Sequence, residues 1–406
     1  MKGVFQEVQE WLARGEPVAL ARVVEVVGSG VRPAGAAIAV TGSEVIGSAS
    51  GGCVEGALVE EARAALADEG KARLRTFGCS DDEAFDVGLT CGGLVRVLIE
   101  RFDTPSTDEM PWLDRLLAMI NEGKGVALVE VIDGPPQLLG WKGIVPADAL
   151  IGLGSHATVD FAGADRQFPT QVARDAVADL AAERSAAHTY HLRGERGEVE
   201  VTVFVDTFPA PPEMVIVGAA SFTAALTGQA KLLGYHVVVC DARPVFATPG
   251  RFPLADEVVA EWPDRYLQRT GARLGPRDAL CVLTHDPKFD VTAILAALRT
   301  EVGYIGVMGS RRTQEDRRKR LLEAGATQAE LARLRGPVGL DLGASSSEET
   351  AVSIVGEIIA LRHGRGGGSL ASSQAPIHPV VEALGGAGPL AASSADVPSV
   401  HSHDRS

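Results

Sequence analysis

A cysteine at position 53 follows a Gly-Gly pair, in the run Gly47-Ser48-Ala49-Ser50-Gly51-Gly52-Cys53-Val54-Glu55-Gly56. Residues this small cannot fill a core, and glycines let a ligand come close to the main chain, so the run reads as a loop that cradles something. From Val54 the residues Ala57, Leu58, Ala62, Ala65 and Leu66 recur at helical spacing, which puts Cys53 at or near a helix N-terminus. That position lowers a thiol's pKa and favours the thiolate, the form that attacks electrophiles and binds soft metals. The bland alternative is a small buried hydrophobe in a tight turn. A second cysteine stands in mirrored context, Leu89-Thr90-Cys91-Gly92-Gly93, ahead of the strand-like run Leu94 to Ile99. Cys91 could face the same pocket as Cys53, or simply pack. Between the apolar runs Val18 to Val27 and Ala36 to Val40 lies a third glycine-containing loop carrying a single arginine, Arg32. It is either an anion-binding group converging on the cysteine loop or a solvated turn residue.

The elements that must position these loops read as a mixed α/β domain. Phe5, Val8, Trp11 and Leu12 make one helix face ending before Gly15 and Pro17, Ala72 to Phe77 alternates as a strand, and Trp112 to Ile120 gives another helix. Gly125 to Ile132 and Val199 to Asp206 read as strands, and the prolines of Thr207-Phe208-Pro209-Ala210-Pro211-Pro212 as a linker. His188-x-x-His191 sits in a strand-like or turn context, which disfavours a metal site.

A second domain begins at Glu213-Met-Val-Ile-Val217. Strand, the glycine turn Gly218-Ala219-Ala220-Ser221, helix, strand and terminal acid Asp241 follow the dinucleotide-binding order, with a ribose expected on Asp241 and a phosphate at the helix start. Only the first glycine of that fingerprint is present, and Ala220 opposes close approach of a pyrophosphate, so NAD(P) is disfavoured. Two further apolar strands lead to Thr284-His285-Asp286 and to Gly309-Ser310-Arg311-Arg312. In a parallel sheet ligands sit at the carboxyl ends of strands, so Gly218, Asp241, Thr284, His285 and Gly309 to Arg312 are expected around one crevice. Arg311 and Arg312 at a helix start suit an anion; the alternative is a solvated basic face continuing into Arg317-Arg318-Lys319-Arg320. His285 either contacts the ligand or orients the loop.

With 406 residues, 46% of them hydrophobic, the chain can bury more than one core, and its formal charge of −15 argues against general affinity for nucleic acid or anionic membrane. Five scattered cysteines with no Cys-x-x-Cys pair disfavour a disulfide framework and a zinc knuckle. No apolar leader and no run of eighteen uncharged apolar residues stands in the sequence, so a cytoplasmic protein is expected. Three regions result: 1–210, a mixed α/β domain with its middle extension; 211–364, a Rossmann-like parallel sheet; and 365–406, a Gly/Ser/Ala/Pro-rich tail expected to be disordered.

These motifs resemble the XdhC/CoxI family, accessory factors for molybdenum hydroxylases such as xanthine dehydrogenase and carbon monoxide dehydrogenase. The resemblance rests on Gly28-Ser29 with Arg32-Pro33-Ala34-Gly35, on the Cys53 and Cys91 loops, and on Asp241-x-Arg243, Arg251-Phe252 and Gly339-Leu340-Asp341-Leu342-Gly343-Ala344. It implies binding of the molybdenum cofactor in molybdopterin or dinucleotide form, support of its sulfuration by a cysteine desulfurase, and delivery to an apo molybdenum hydroxylase. On that reading Cys53 and Cys91, with Gly51, Gly52, Gly92 and Arg32, handle the molybdenum end, and Cys53 is a candidate molybdenum contact. Gly218, Asp241, His285, Gly309, Ser310, Arg311 and Arg312 hold the anionic end. The expected protein is a homodimeric maturation factor rather than a turnover enzyme. An NAD(P)-dependent oxidoreductase and a cofactor-free docking protein are the alternatives. The chain departs from the family's usual pattern at Gly30-Val31, where Ala-Pro is common, and at Gly218-Ala219-Ala220-Ser221, where Gly-Ala-Gly-His is usual.

Overall fold

The computed structural model describes residues 2–27, 32–49, 54–68, 72–78, 94–103, 110–149, 167–194, 197–284 and 286–373. The first half builds two antiparallel sheets. In chain order come α1 (Lys2–Ala13), β1 (Val18–Val27), β2 (Ala37–Val40), β3 (Val45–Gly47), α2 (Glu55–Ala67), β4 (Arg73–Gly78) and β5 (Leu94–Phe102). These are followed by α3 (Pro111–Asn121), β6 (Val126–Asp133), β7 (Lys142–Pro146), α4 (Gln167–Ala181), β8 (Ala186–Gly194) and β9 (Gly197–Phe208). One sheet runs β3-β2-β1-β5-β4 and the other β7-β6-β9-β8.

The period-two alternation of strands explains how the sheets stack. Ala19, Ala21 and Val23 of β1 face α2, joining Leu58, Ala62, Val97 and Ile99 in one core. The intervening residues face the second sheet: Leu20 packs near Leu128 and Phe208, and Val24 near Leu98, Ile132 and Phe204. Arg22 takes the central position between them, wholly buried. Its Nη2 donates to Glu100 at 2.7 Å and also to Glu130, and its Nη1 lies 3.8 Å from Asp206. Lys142 completes the cluster, reaching Glu100 at 2.5 Å and Glu130 at 2.7 Å. Two cations and three carboxylates therefore tie β1 and β5 of the first sheet to β6, β7 and β9 of the second.

The second half is a parallel sheet. It comprises β10 (Glu213–Val217), α5 (Ser221–Leu232), β11 (His236–Cys240), β12 (Glu257–Val259), α6 (Pro263–Thr270), β13 (Ala279–Val282) and α7 (Pro287–Leu298). Then come β14 (Tyr304–Val307), α8 (Arg311–Glu323), α9 (Gln328–Leu331), β15 (Leu334–Arg335) and α10 (Ser347–Arg362). Its strand order, β12-β11-β10-β13-β14-β15, is the doubly wound arrangement, with the order reversing between β10 and β13. Both faces are covered, which is why these strands are apolar throughout rather than alternating. Val215 and Val217 pack with α6, α7 and α8, and Met214 and Ile216 with α5 and α10.

Helix boundaries follow local chemistry. Asp286 caps α7 by accepting from the Lys288 amide, with Pro287 at the first position. Ser346 and Glu349 form a capping box that opens α10. Asp290 pairs with buried Arg317 at 2.7 Å, locking α7 to α8, so that arginine belongs to the packing rather than to a solvated basic run. Between the halves, Arg277 donates to the Ala210 carbonyl at 3.1 Å and pairs with Glu183. Residues 365–373 are exposed, with one 3-10 turn at Leu370–Ser372; the rest of the expected tail, 374–406, lies outside the described residues. No described helix is long and apolar enough to cross a membrane.

Candidate functional site

Three segments leave the first sheet toward the same end of its strands. Val27 at the end of β1 pairs with Leu94 at the start of β5, and Leu94 pairs in turn with Gly78 at the end of β4. On the other side of β1, Arg22 pairs with Ala37 at the start of β2, and Ile38 with Gly47 at the end of β3. The segments 28–36, 48–54 and 79–93 therefore leave toward the same end of the sheet but staggered, since Gly47 stands level with Ala21, six residues and about 20 Å along the strand from the row of Val27, Leu94 and Gly78. They carry Arg32, Cys53 and Cys91 respectively.

The described anchors of the Cys53 segment are firmly held. Gly47 has φ +92° and stands where a Cβ would come within 2.3 Å of the Ala37 carbonyl oxygen, so only glycine fits. The Ser48 amide donates to that same carbonyl at 3.0 Å, and the Ser48 hydroxyl donates to Glu55 at 2.8 Å, tying the two ends of the loop together. Ala49 and Val54 are buried. Helix α2 starts at Glu55 with Val54 as its N-cap residue, two positions beyond Cys53. Gly51, Gly52, Cys53, Cys91, Gly92 and His285 themselves lie outside the described residues, and Arg32 is exposed in a bend. The two described cysteines, Cys240 and Cys281, are buried, and burial pushes both thiols up to about 12, away from thiolate chemistry. Among the described residues no group of His, Cys, Asp or Glu is placed to hold a metal ion.

In the parallel sheet a cavity of about 530 Å³ opens at the switch point, within the usual range for small-molecule sites. It is lined by Gly218, Ala219, Ala220, Arg243, Leu283, Thr284, Asp286 and Pro287. Gly218, at φ +110°, brings the β10 turn against the end of β13; a Cβ there would lie 2.9 Å from the Thr284 amide nitrogen.

The turn's amides are already engaged. Gly218 N–H donates to the Cys240 carbonyl at 2.9 Å, Ala219 N–H to Asp241 Oδ2 at 2.8 Å, and Ala220 N–H to the Thr223 hydroxyl at 3.3 Å. Thr223 in turn donates to the Gly218 carbonyl. The amides of Gly218, Ala219 and Ala220 are thereby turned to the protein itself, which takes them from the backbone cradle that a pyrophosphate would need.

Asp241 is buried beneath the turn. Besides the Ala219 amide, it accepts from the Arg243 amide and Nε at 2.9 Å and from Arg243 Nη2 at 2.8 Å. Four donors fill a carboxylate's acceptor sites, so this acid serves the turn and Arg243 where the sequence pattern gives it a ribose. Burial raises its pKa, and the bonds from Arg243 and the two amides outweigh that, holding it below the usual carboxylate value.

Gly309 to Arg312 follow β14, one strand beyond the cavity. Ser310 caps α8 by accepting from the Thr313 amide at 3.2 Å, and Arg311 and Arg312 are exposed at the helix start, outside the cavity lining. Sequence reasoning passed over Arg22, buried in an apolar strand, and over Asp286, which follows the apolar run of β13 and lines the cavity. It also gave Arg243 no role in the site. A lone charge inside an otherwise apolar run, and an Asp-x-Arg pair closing a strand, were the available signals.

The XdhC and CoxI family matches residues 11–78, and its XdhC Rossmann domain matches residues 214–358. The chain belongs to the XdhC/CoxI family. Members of this family are maturation factors for molybdenum hydroxylases. Among relatives of the chain, a Bacillus subtilis protein named as a probable xanthine dehydrogenase subunit is 28% identical over 350 residues, 86% of this chain and 94% of that protein. The molybdenum cofactor insertion chaperone PaoD of Escherichia coli is 24% identical over 357 residues, 87% of this chain and 86% of that one. A crystal structure of a Bacillus halodurans protein described as a xanthine dehydrogenase superposes with a TM-score of 0.61 at 24% identity, covering 91% of this chain and 98% of that one, and shares the fold.

Proposed function

We propose that this protein binds the molybdenum cofactor, holds it while a cysteine desulfurase supplies the terminal sulfur, and delivers it to an apo molybdenum hydroxylase. The observation that supports the reading is that the segments bearing Arg32, Cys53 and Cys91 all depart toward the same end of one sheet. Its weight comes from family membership and from similarity along most of the chain to a cofactor insertion chaperone.

The donor set at that end suits the group. Thiolates are soft ligands for a molybdenum centre, and glycines at 51 and 52, in a segment whose flanking residues Ser48 and Glu55 are tied together, let a ligand come close to the main chain. The cofactor supplies the metal and its sulfur when bound. Cys53 and Cys91 act as the sulfur-handling residues, Gly51, Gly52 and Gly92 admit the ligand, and Arg32 offsets its negative charge. The Rossmann-like domain takes the organic portion: the switch-point cavity receives it, and Gly309, Ser310, Arg311 and Arg312, one strand away, receive its anionic end. His285 is assigned to the same ligand. We assign the active form as a cytoplasmic homodimer and the role as a maturation factor without turnover of its own. With the turn amides engaged and Asp241 filled, an NAD(P)-dependent oxidoreductase is the weaker reading.

Purification from molybdenum-replete cells tests this directly. Near-stoichiometric molybdenum by elemental analysis, with the fluorescence of oxidised pterin, is expected; protein carrying neither would overturn the proposal.

A further inference from the structure

The switch-point cavity contains a feature that neither phosphate binding nor turn geometry requires. Arg243 is fixed on two sides: Asp241 takes its Nε and Nη2 edge, and its guanidinium carbon lies 4.5 Å from the centre of the Phe246 ring. Arg251 lies over the same ring at 5.4 Å, so Phe246 carries two guanidiniums, and of these Arg243 lines the cavity. With the Nε and Nη2 edge taken by Asp241 and the group held beside Phe246, what the half-exposed Arg243 offers a ligand is its open planar surface and Nη1. A fork with its edge already spent on a carboxylate is poorly arranged for bidentate phosphate capture. A flat cationic plane, held in place, is a stacking platform for an aromatic ring. Ala219, Ala220, Leu283 and Pro287 supply the apolar surface that such a ring needs.

Asp286 also lines the cavity. One of its oxygens accepts from the Lys288 amide at 3.0 Å, which fixes the side chain's orientation. A carboxylate has acceptors only, so it selects a ring edge that presents donors.

We infer that this cavity binds a planar 2-amino-4-oxopyrimidine ring, of the kind found in pterins and guanine, stacked on Arg243 with its N–H and amino group facing Asp286. Adenine and cytosine present an acceptor beside their amino donor, and that acceptor would oppose the carboxylate. The inference deepens the proposed function, since it rests on this domain holding the organic part of the cofactor, and it separates that ligand from an adenine dinucleotide.

The test is calorimetric titration of the full chain with 6-hydroxymethylpterin, GMP, AMP and CMP. The pterin, GMP or both are expected to bind at least about tenfold more tightly than AMP and CMP, because a site built for donors leaves a mismatched edge unpaired. The preference between pterin and GMP identifies the source of the ring. Arg243→Ala should weaken the preferred ligand about tenfold, the usual scale of one stacked base, and Arg243→Lys should not restore it, since lysine keeps the charge and loses the plane. Asp286→Asn, which can still cap α7, should erase the discrimination against AMP. Circular dichroism establishes that each variant is folded. Binding of AMP or CMP as tight as that of the pterin and GMP, or wild-type affinity in the folded Arg243→Lys variant, overturns the inference. The outcome is independent of cofactor retention. Protein that retains molybdenum cofactor but shows no ring preference loses this inference and keeps the proposed function; protein that binds the ring but never carries molybdenum does the reverse.

Discussion

Asp241 and Arg243, two residues apart, meet in a two-pronged ion pair, Nε to Oδ1 at 2.9 Å and Nη2 to Oδ2 at 2.8 Å, while the same carboxylate accepts the Ala219 amide of the β10 turn. One acid thus sets both the turn and the cationic plane beside it. Arg243 is half exposed, so water screens much of the pair; the buried amide bond carries more of the energy.

Asp241→Asn should therefore cost about 1.5 to 3 kcal/mol, the range for hydrogen bonds to a charged group. Because the folded-state pKa of Asp241 is lowered from 3.8, its contribution is present above that value and lost as pH falls through the folded value. Urea denaturation of wild type and variant at pH 7 and under strong acid checks both points: the gap between the two should close on acidification.

The buried cluster gives the opposite sign. Burial raises Asp206 from 3.8 to about 6, with Arg22 only partly compensating at 3.8 Å, and burial also raises Glu130. Burial acts on Glu100 too, but Lys142 and Arg22 overcome it and lower that group. For Asp206 the stabilisation is fully present below about 4 and is lost as pH rises through about 6. Thermal melts should show stability declining between about pH 4 and pH 6 on this account, and Asp206→Asn should flatten that decline. An unchanged slope in the variant would show that the proton resides elsewhere in the cluster.

Arg22→Leu leaves carboxylates buried without their shared cation and should destabilise by about 3 to 5 kcal/mol, the scale for breaking one partner of a buried pair. Chemical denaturation gives the number directly. A loss below about 1 kcal/mol would mean that water or a proton replaces the guanidinium at little cost.

Under the proposed function, Cys53→Ser abolishes client activation while the fold remains intact, because the thiolate beside a helix start is lost. Cys91→Ser weakens activation less, since that residue precedes a strand. Reconstitution of an apo hydroxylase, with circular dichroism as the folding control, is the measurement; full activation by the Cys53 variant would remove the residue from the mechanism.

Arg311→Ala combined with Arg312→Ala should lower cofactor retention through gel filtration at least about tenfold, as loss of charged hydrogen bonds to a phosphate does. Ring binding in the switch-point cavity should be unaffected, because neither arginine lines it. Retention equal to wild type would show these exposed charges to be merely solvated.

Much of this architecture was legible in the residues themselves. The apolar runs at Val215, Val238 and Leu280 can only be strands covered on both faces, and the turn at Gly218 marks the switch point. The Ser48 to Glu55 clasp was not legible, because a hydrogen bond across a loop leaves no periodicity. Nor was the stacking of two sheets through Arg22, since a strand pattern shows which residues share a face but not which other sheet meets it. Asp241 shows a different limit. Its place at the end of β11 fits a ribose ligand, but Arg243 two positions later competes for the same oxygens, and proximity favours the local partner.

The position of β5 between β1 and β4 governs how this protein can be dissected. The family match in the first half ends at residue 78, before β5 begins at Leu94. A gene fragment stopping there would lack the strand that joins β4 to β1, exposing the facing edges of β1 and β4 to any other chain and leaving Arg22 without its carboxylates. Such a fragment should collect in inclusion bodies, so an expression boundary for the first half belongs in the proline segment after Phe208.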